Sequence, residues 1–213
     1  MLIPLGCHCN ITCLQQDAGI KRETGLFEYL QSDKLQYITD VVNSLKSGID
    51  TSIIQGSNRD LYLINKKIFT YHYDLEEYKE IFTRRATRFL DQIRNQKELI
   101  FARINAYKSP EDEILFTTEE EINNFADAIH SINPALKIKF LLIHTTDDEG
   151  NYTQLDETKI HDIIFVQKKF EKKDCPDYYL KQNGKIQTLF LEYLSGLGYD
   201  VNEKNYVEFS DRH

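Results

Sequence analysis

Two short stretches set the architecture: Leu99 to Ile104 (LIFARI) and Lys137 to His144 (KIKFLLIH) are near-continuous apolar runs. A strand with one wet face alternates apolar and polar residues. A strand covered on both faces need not, and continuous runs mark parallel sheets buried under helices. Each run follows a stretch with helical character. Leu75 to Asn95 places Tyr78, Ile81, Phe82, Phe89 and Ile93 on or near one helix face. Thr118, followed by Glu119, Glu120 and Glu121, has the form of a capping box. That helix extends to about Ile132 and stops at Asn133-Pro134.

The rest of the chain continues the alternation. Leu2-Ile3-Pro4-Leu5 reads as a short buried strand, residues 9–18 as a helix stopped by Gly19, and residues 21–30 as a loop with an aromatic tail. Asp33 is placed to cap a helix carrying Leu35, Ile38, Val41, Val42 and Leu45, ended by Gly48. Residues 61–64 and 68–73, with Asn65-Lys66-Lys67 between them, predict a β-hairpin. Ile160 to Val166 reads as a strand, Gly184 to Leu197 as the last helix, and the tail from Gly198 as irregular. The polar stretch from Thr145 to Lys159 reads as a mobile loop at a strand's C-terminal end, where open α/β sheets place ligand loops. The expectation is a single α/β domain over residues 1–213. Its mostly parallel sheet contains residues 2–5, 99–103 and 138–143, with helices on both faces in a Rossmann-like three-layer arrangement and a β-hairpin insertion near 61–73.

Composition narrows the function classes. The chain has 213 residues, enough for a substantial core without staples. A net charge of -8 argues against nucleic acid as a partner, since that needs a basic footprint. Three of the four cysteines crowd into positions 7, 9 and 13, which is no disulfide framework, so a reducing cytoplasm is expected. No apolar run reaches ~18 residues and no basic segment leads a hydrophobic one, so neither a membrane span nor secretion is expected. The oligomeric state is not encoded in any pattern of this kind.

The chemistry concentrates where Gly6-Cys7-His8-Cys9 leads from the first strand into a helix. Helix N-terminal N–H groups stabilise a thiolate, and Gly allows a sharp turn that leaves sulfur open to a substrate. Zinc is not expected, because no second cysteine knuckle exists. A low-molecular-weight phosphatase needs Arg six residues after its nucleophile; Cys13 and Gln15 stand there instead. Gly-rich nucleotide loops are absent, so no cofactor is expected. A nucleophilic Cys needs a His base. His213 and His130 are poorly placed, His8 is a sequence neighbour of the thiols, and His72 and His144 each end an apolar segment. Arg84, Arg85 and Arg88 share one helix, while Arg103 interrupts an apolar strand, where a charge must be paired or aimed at an anion.

These residues resemble the family catalogued as DUF1796, described as papain-like cysteine peptidases. Leu5-Gly6-Cys7-His8-Cys9 matches that family's opening L-G-x-x-C, with Cys9 at the family Cys; Arg22 fits its Arg. Gly25-Leu26-Phe27-Glu28-Tyr29 stands where G-P-F-D-W is expected, with Leu26, Glu28 and Tyr29 departing from Pro, Asp and Trp. Thr70-Tyr71-His72, Arg85 to Phe89 and Arg103 fit its later segments.

Two functions are therefore expected. The preferred one is a cysteine-dependent hydrolase or acyl-transfer enzyme acting on a peptide or small anionic substrate. Cys9 is its nucleophile, His72 its base, Glu28 or Asp147 the orienting carboxylate, and backbone N–H groups near Gly6 and Cys7 the oxyanion donors. Arg22, Arg85, Arg103 and His144 are candidates for substrate binding. The alternative is a Rossmann-like enzyme or binding module for an anionic glycan or nucleotide-sugar, held by arginines rather than by the thiol.

Overall fold

The alternation of strands and helices is present along the chain. The computed structural model describes residues 1–6, 10–20, 23–48, 53–56, 61–63, 68–70, 73–105, 117–146, 163–171 and 184–199. Its elements are β1 (Leu2–Pro4), α1 (Asn10–Asp17), β2 (Gln31–Ser32), α2 (Leu35–Lys46), β3 (Ile53–Gln55), β4 (Leu61–Leu63), β5 (Ile68–Thr70), α3 (Leu75–Asn95), β6 (Glu98–Asn105), α4 (Glu119–His130), β7 (Lys137–Thr146), β8 (Ile163–Glu171) and α5 (Gly184–Gly196).

The fold is α/β. Its parallel sheet has the order β1-β6-β7-β8, with Leu2 in register with Ile100 and Phe101 with Phe140. Every adjacent pair in it is parallel. Side chains along β6 alternate between two cores. Leu99 and Phe101 pack in one cluster with Ile3, Phe140 and residues of α2, α3 and α4. Ile100 and Ala102 pack in the other with Leu2, Leu141, Ile11 and Leu14 of α1 and Phe190 and Leu194 of α5. Both kinds of position are apolar over Leu99 to Ala102 and Phe140 to Leu142, so these stretches lose the alternation that Lys137 and Lys139 still show at the start of β7.

The expected hairpin is present as β4 and β5, paired antiparallel with Leu61 opposite Thr70 and Tyr62 opposite Phe69. It is not an edge of the parallel sheet. β2 and β3 flank it in a separate antiparallel sheet of order β2-β5-β4-β3. Ile53 and Ile68 of this second sheet join the cluster of Leu99 and Phe101, so one core connects the two sheets.

Several expected boundaries need correction. Thr145 and Thr146 belong to β7, paired with Phe170 and Glu171, rather than to a loop. β8 continues past Val166 to Glu171, and the remainder of the 145–159 stretch, like the tail from residue 200, lies outside the described residues. α2 is flanked by Lys34, not Asp33, and carries no side-chain cap of its own. Its cap comes from another helix. Glu121 Oε1 accepts from the Gln36 N–H (3.2 Å), while Oε2 accepts from the Thr118 N–H (3.1 Å) in the expected capping box. α2 and α4 lie side by side with like ends together, as Lys46 Nζ donates to Ser131 Oγ (2.9 Å) beyond the far end of α4. No helix among the described residues is long and apolar enough to cross a membrane.

One carboxylate at two helix starts should cost more to lose than an ordinary cap. Glu121→Ala is expected to lower the unfolding free energy by about 1–2 kcal/mol, the upper part of the range for a single cap. Urea denaturation measures it. A loss under ~0.5 kcal/mol, typical of a neutral surface change, would show that the shared cap contributes nothing.

Candidate functional site

β1 ends at Pro4, and the Leu5 N–H still donates to the Ala102 carbonyl (2.8 Å). Gly6, which precedes Cys7 in sequence, then takes φ +66. A Cβ at Gly6 would stand 2.9 Å from Ser32 Oγ and 3.5 Å from the Leu30 carbonyl oxygen. Glycine is thus required both by conformation and by space.

Arg103 fixes this turn. By the period of the strand it shares a face with Leu99 and Phe101, and it is fully buried. Its Nη1 donates to the Leu5 carbonyl (2.8 Å) and to Ser32 Oγ (3.0 Å), and its Nη2 to the Ser32 carbonyl (2.8 Å). These bonds answer the desolvation of a buried guanidinium. They also tie the end of β1 to β2, joining the two sheets at the residue before Gly6.

The Glu28 segment stands beside this clamp. Leu26, Phe27, Glu28 and Leu30 are all buried, and Glu28 Oε1 accepts from the Gly25 N–H (2.6 Å). Tyr29 has φ 62, unique among described non-glycine residues. A bulky side chain in that region carries strain of about 1–3 kcal/mol, sustained by the packing around it. α3 braces the segment: Phe89 meets Phe27 edge-on at 5.2 Å, and Arg88 Nη1 reaches the Thr24 carbonyl (3.2 Å) and Glu23 Oε2 (3.0 Å).

One turn earlier on α3, Arg85 is 7% exposed. Its Nη2 donates to the Tyr73 hydroxyl (2.9 Å), and its Cζ lies 5.4 Å from the centre of that ring. Tyr73 in turn stacks on Tyr78 at 5.2 Å. Arg85 Nη1 and the Tyr78 hydroxyl are buried without a hydrogen-bond partner. Burial pushes the Tyr78 phenol well above its ordinary pKa, and the opposing pull of the Arg85 charge is smaller.

Of the expected site residues, Glu28, Arg85 and Arg103 are placed as above. His144 lies in β7, in register with Asn105 on one side and Lys169 on the other. Cys9, His72 and Arg22 lie outside the described residues, as do Cys7, His8 and Asp147. Of the described residues before, between and after them in sequence, Gly6 packs at Leu30 and Ser32, Phe27 meets Phe89, and Tyr73 bonds Arg85. His130 contacts the Leu136 carbonyl through Nε2 (3.0 Å), a local bond at the end of α4.

Ser32, Tyr73 and Tyr78 escaped sequence reasoning. Tyr78 and Arg85 are seven residues apart, two turns on one helix face, and that spacing was a usable signal. Ser32 had none, because its role arises from a strand 71 residues away. Comparison with protein-family models, with curated proteins and with solved structures returns no match.

Proposed function

We propose that this protein is a cysteine-dependent hydrolase or acyl-transfer enzyme of the papain-like kind represented by the DUF1796 family. Cys9 is the nucleophile, His72 the general base and Glu28 the carboxylate that orients it, on a three-layer, Rossmann-like single domain. The observation that carries the reading is the Gly6 turn. It stands at the C-terminal edge of a parallel sheet, where such sheets carry their sites, three residues before Cys9 in sequence. A buried carboxylate, Glu28, lies two residues from the Leu30 carbonyl that Gly6 approaches. In the proposed cycle, Cys9 Sγ gives its proton to His72 and attacks the substrate's carbonyl carbon. The protonated His72 then donates to the leaving group, and water or another acceptor releases the acyl group from sulfur.

Iodoacetamide labelling from pH 5 to 9 with peptide mapping tests this. At pH 6 Cys9 is expected to react at least ~10-fold faster than a thiol of pKa ~8.5, and His72→Ala should abolish that advantage. Labelling of Cys9 at the rate of a model thiol, or a pH profile untouched by His72→Ala, overturns the reading.

A second reading has an observation of its own. Arg85 Nη1, buried and without a partner, favours a module for an anionic glycan or nucleotide-sugar, in which Arg22 and Arg85 hold the anion and the cysteines are packing; Arg103, also expected to bind it, is fully buried and its guanidinium is taken up by Leu5 and Ser32. Failure of the thiol experiment would promote it.

A further inference from the structure

We propose that Arg85 Nη1 and the Tyr78 hydroxyl form a subsite for an anionic oxygen group, carboxylate or phosphoryl, on the ligand of this site. The inference deepens the functional reading by assigning a charge to the substrate, and it rests on that reading only for the adjacent chemistry.

The arginines of α3 show why Arg85 stands apart. Arg84 is exposed, Arg88 pairs with Glu23 (3.0 Å), and Arg94 lies 3.8 Å from Asp91 in solvent. Arg85 alone of the four is buried, and among the described residues it has no carboxylate within ion-pair distance. A buried cation without a counter-charge is costly, and structures that keep one usually meet it with an acid. Here the acid is the ligand's. The guanidinium is also pre-set for capture. The Tyr73 ring lies against it and the Tyr73 hydroxyl takes one of its five donors, which fixes the plane of the fork and leaves Nη1 unoccupied.

Tyr78 supplies the second donor. Its ring stacks on the far partner of the same contact, Tyr73, and its hydroxyl is likewise buried without a partner. Burial keeps that phenol protonated throughout the neutral range, so it donates rather than repels. An arginine nitrogen and a neutral phenol sharing one tyrosine neighbour would bind two oxygens of a planar or tetrahedral anion. The place is right for a substrate contact. Arg88 and Phe89, on the next turn, hold the segment that carries Glu28, and Tyr73 follows His72 in sequence.

Thermal unfolding of the full chain, with inorganic phosphate or acetate at about 10 mM against chloride of equal ionic strength, provides the test. If the anion binds well below that concentration, the wild-type midpoint should rise by about 5 °C. A larger rise with phosphate assigns a phosphoryl group, and one with acetate a carboxylate. Arg85→Met should abolish the rise, Tyr78→Phe should reduce it, and Arg94→Met should leave it whole. Should Arg85→Met not fold, Arg85→Lys, which keeps charge but loses the fork, should show a reduced rise. No rise with either anion, or an equal rise in the Arg85 variants, overturns the subsite. Cys9→Ala should respond like wild type, so failure of the thiol chemistry and failure of the subsite give different results.

Discussion

Arg103→Met is expected to lower the unfolding free energy by about 3–5 kcal/mol, the largest effect of any single substitution considered. The side chain is fully buried, and its removal takes a donor from the Leu5 and Ser32 carbonyls and the Ser32 hydroxyl together. Each buried acceptor left unsatisfied costs about 1–3 kcal/mol, and the lost charge offsets part of the sum by sparing its desolvation. Arg103→Lys should recover only part of the loss, because a point charge cannot fork between Leu5 and Ser32. Guanidinium denaturation monitored by circular dichroism gives the values. A loss under ~1 kcal/mol for Arg103→Met would mean that the two sheets are joined by apolar packing alone.

The next largest effect belongs to Gly6→Ala, expected to cost about 2–3 kcal/mol. The left-handed conformation alone accounts for roughly 1–2 kcal/mol in an L-residue with a Cβ. The rest comes from Ser32 Oγ, 2.9 Å from the new methyl and held there by Arg103. The two terms separate in a double mutant. Ser32→Ala removes the obstructing oxygen, so Gly6→Ala should cost about 1 kcal/mol less in that background than in wild type. Additive losses would show that the methyl is accommodated without contact with Ser32. Because Gly6 leads directly to Cys7, Gly6→Ala should also slow Cys9 alkylation, which the same labelling measurement reads.

What could be read beforehand follows from where the controlling interactions lie. β6 and β7 were legible because burial on both faces writes itself as runs of consecutive apolar residues, Leu99 to Ala102 and Phe140 to Ile143. The start of α4 was legible because Thr118 and Glu121 are three residues apart and satisfy each other locally. The start of α2 was not, since its cap is Glu121, 85 residues away, and Asp33 offered a plausible local substitute. β2 and β3 span two and three residues, too short for any period to show. Among the candidate residues, Glu28, Arg85 and Arg103 stand out in the sequence by a charge in an apolar setting or by the resemblance, and all three are buried. Their surroundings were not legible. The conformation of Tyr29 has no sequence signal, because Tyr is among the residues least expected at positive φ. Tyr73 looked like the end of a hairpin, whereas its stack on Tyr78 and its bond to Arg85 tie it to α3.

The pairing of β1 with β6 also has a consequence in time. Leu2 and Ile100 are neighbours in the sheet but 98 residues apart in the chain, and the Leu5–Arg103 bond spans the same distance. A ribosome working at about 5–20 residues per second takes roughly 5–20 s to cover that interval. Throughout it, the segment Leu2-Ile3-Pro4-Leu5 and the cysteines that follow exist without the strand that will hold them. The bond that holds the residue before the Gly6 turn in the finished protein is missing while the protein is being made.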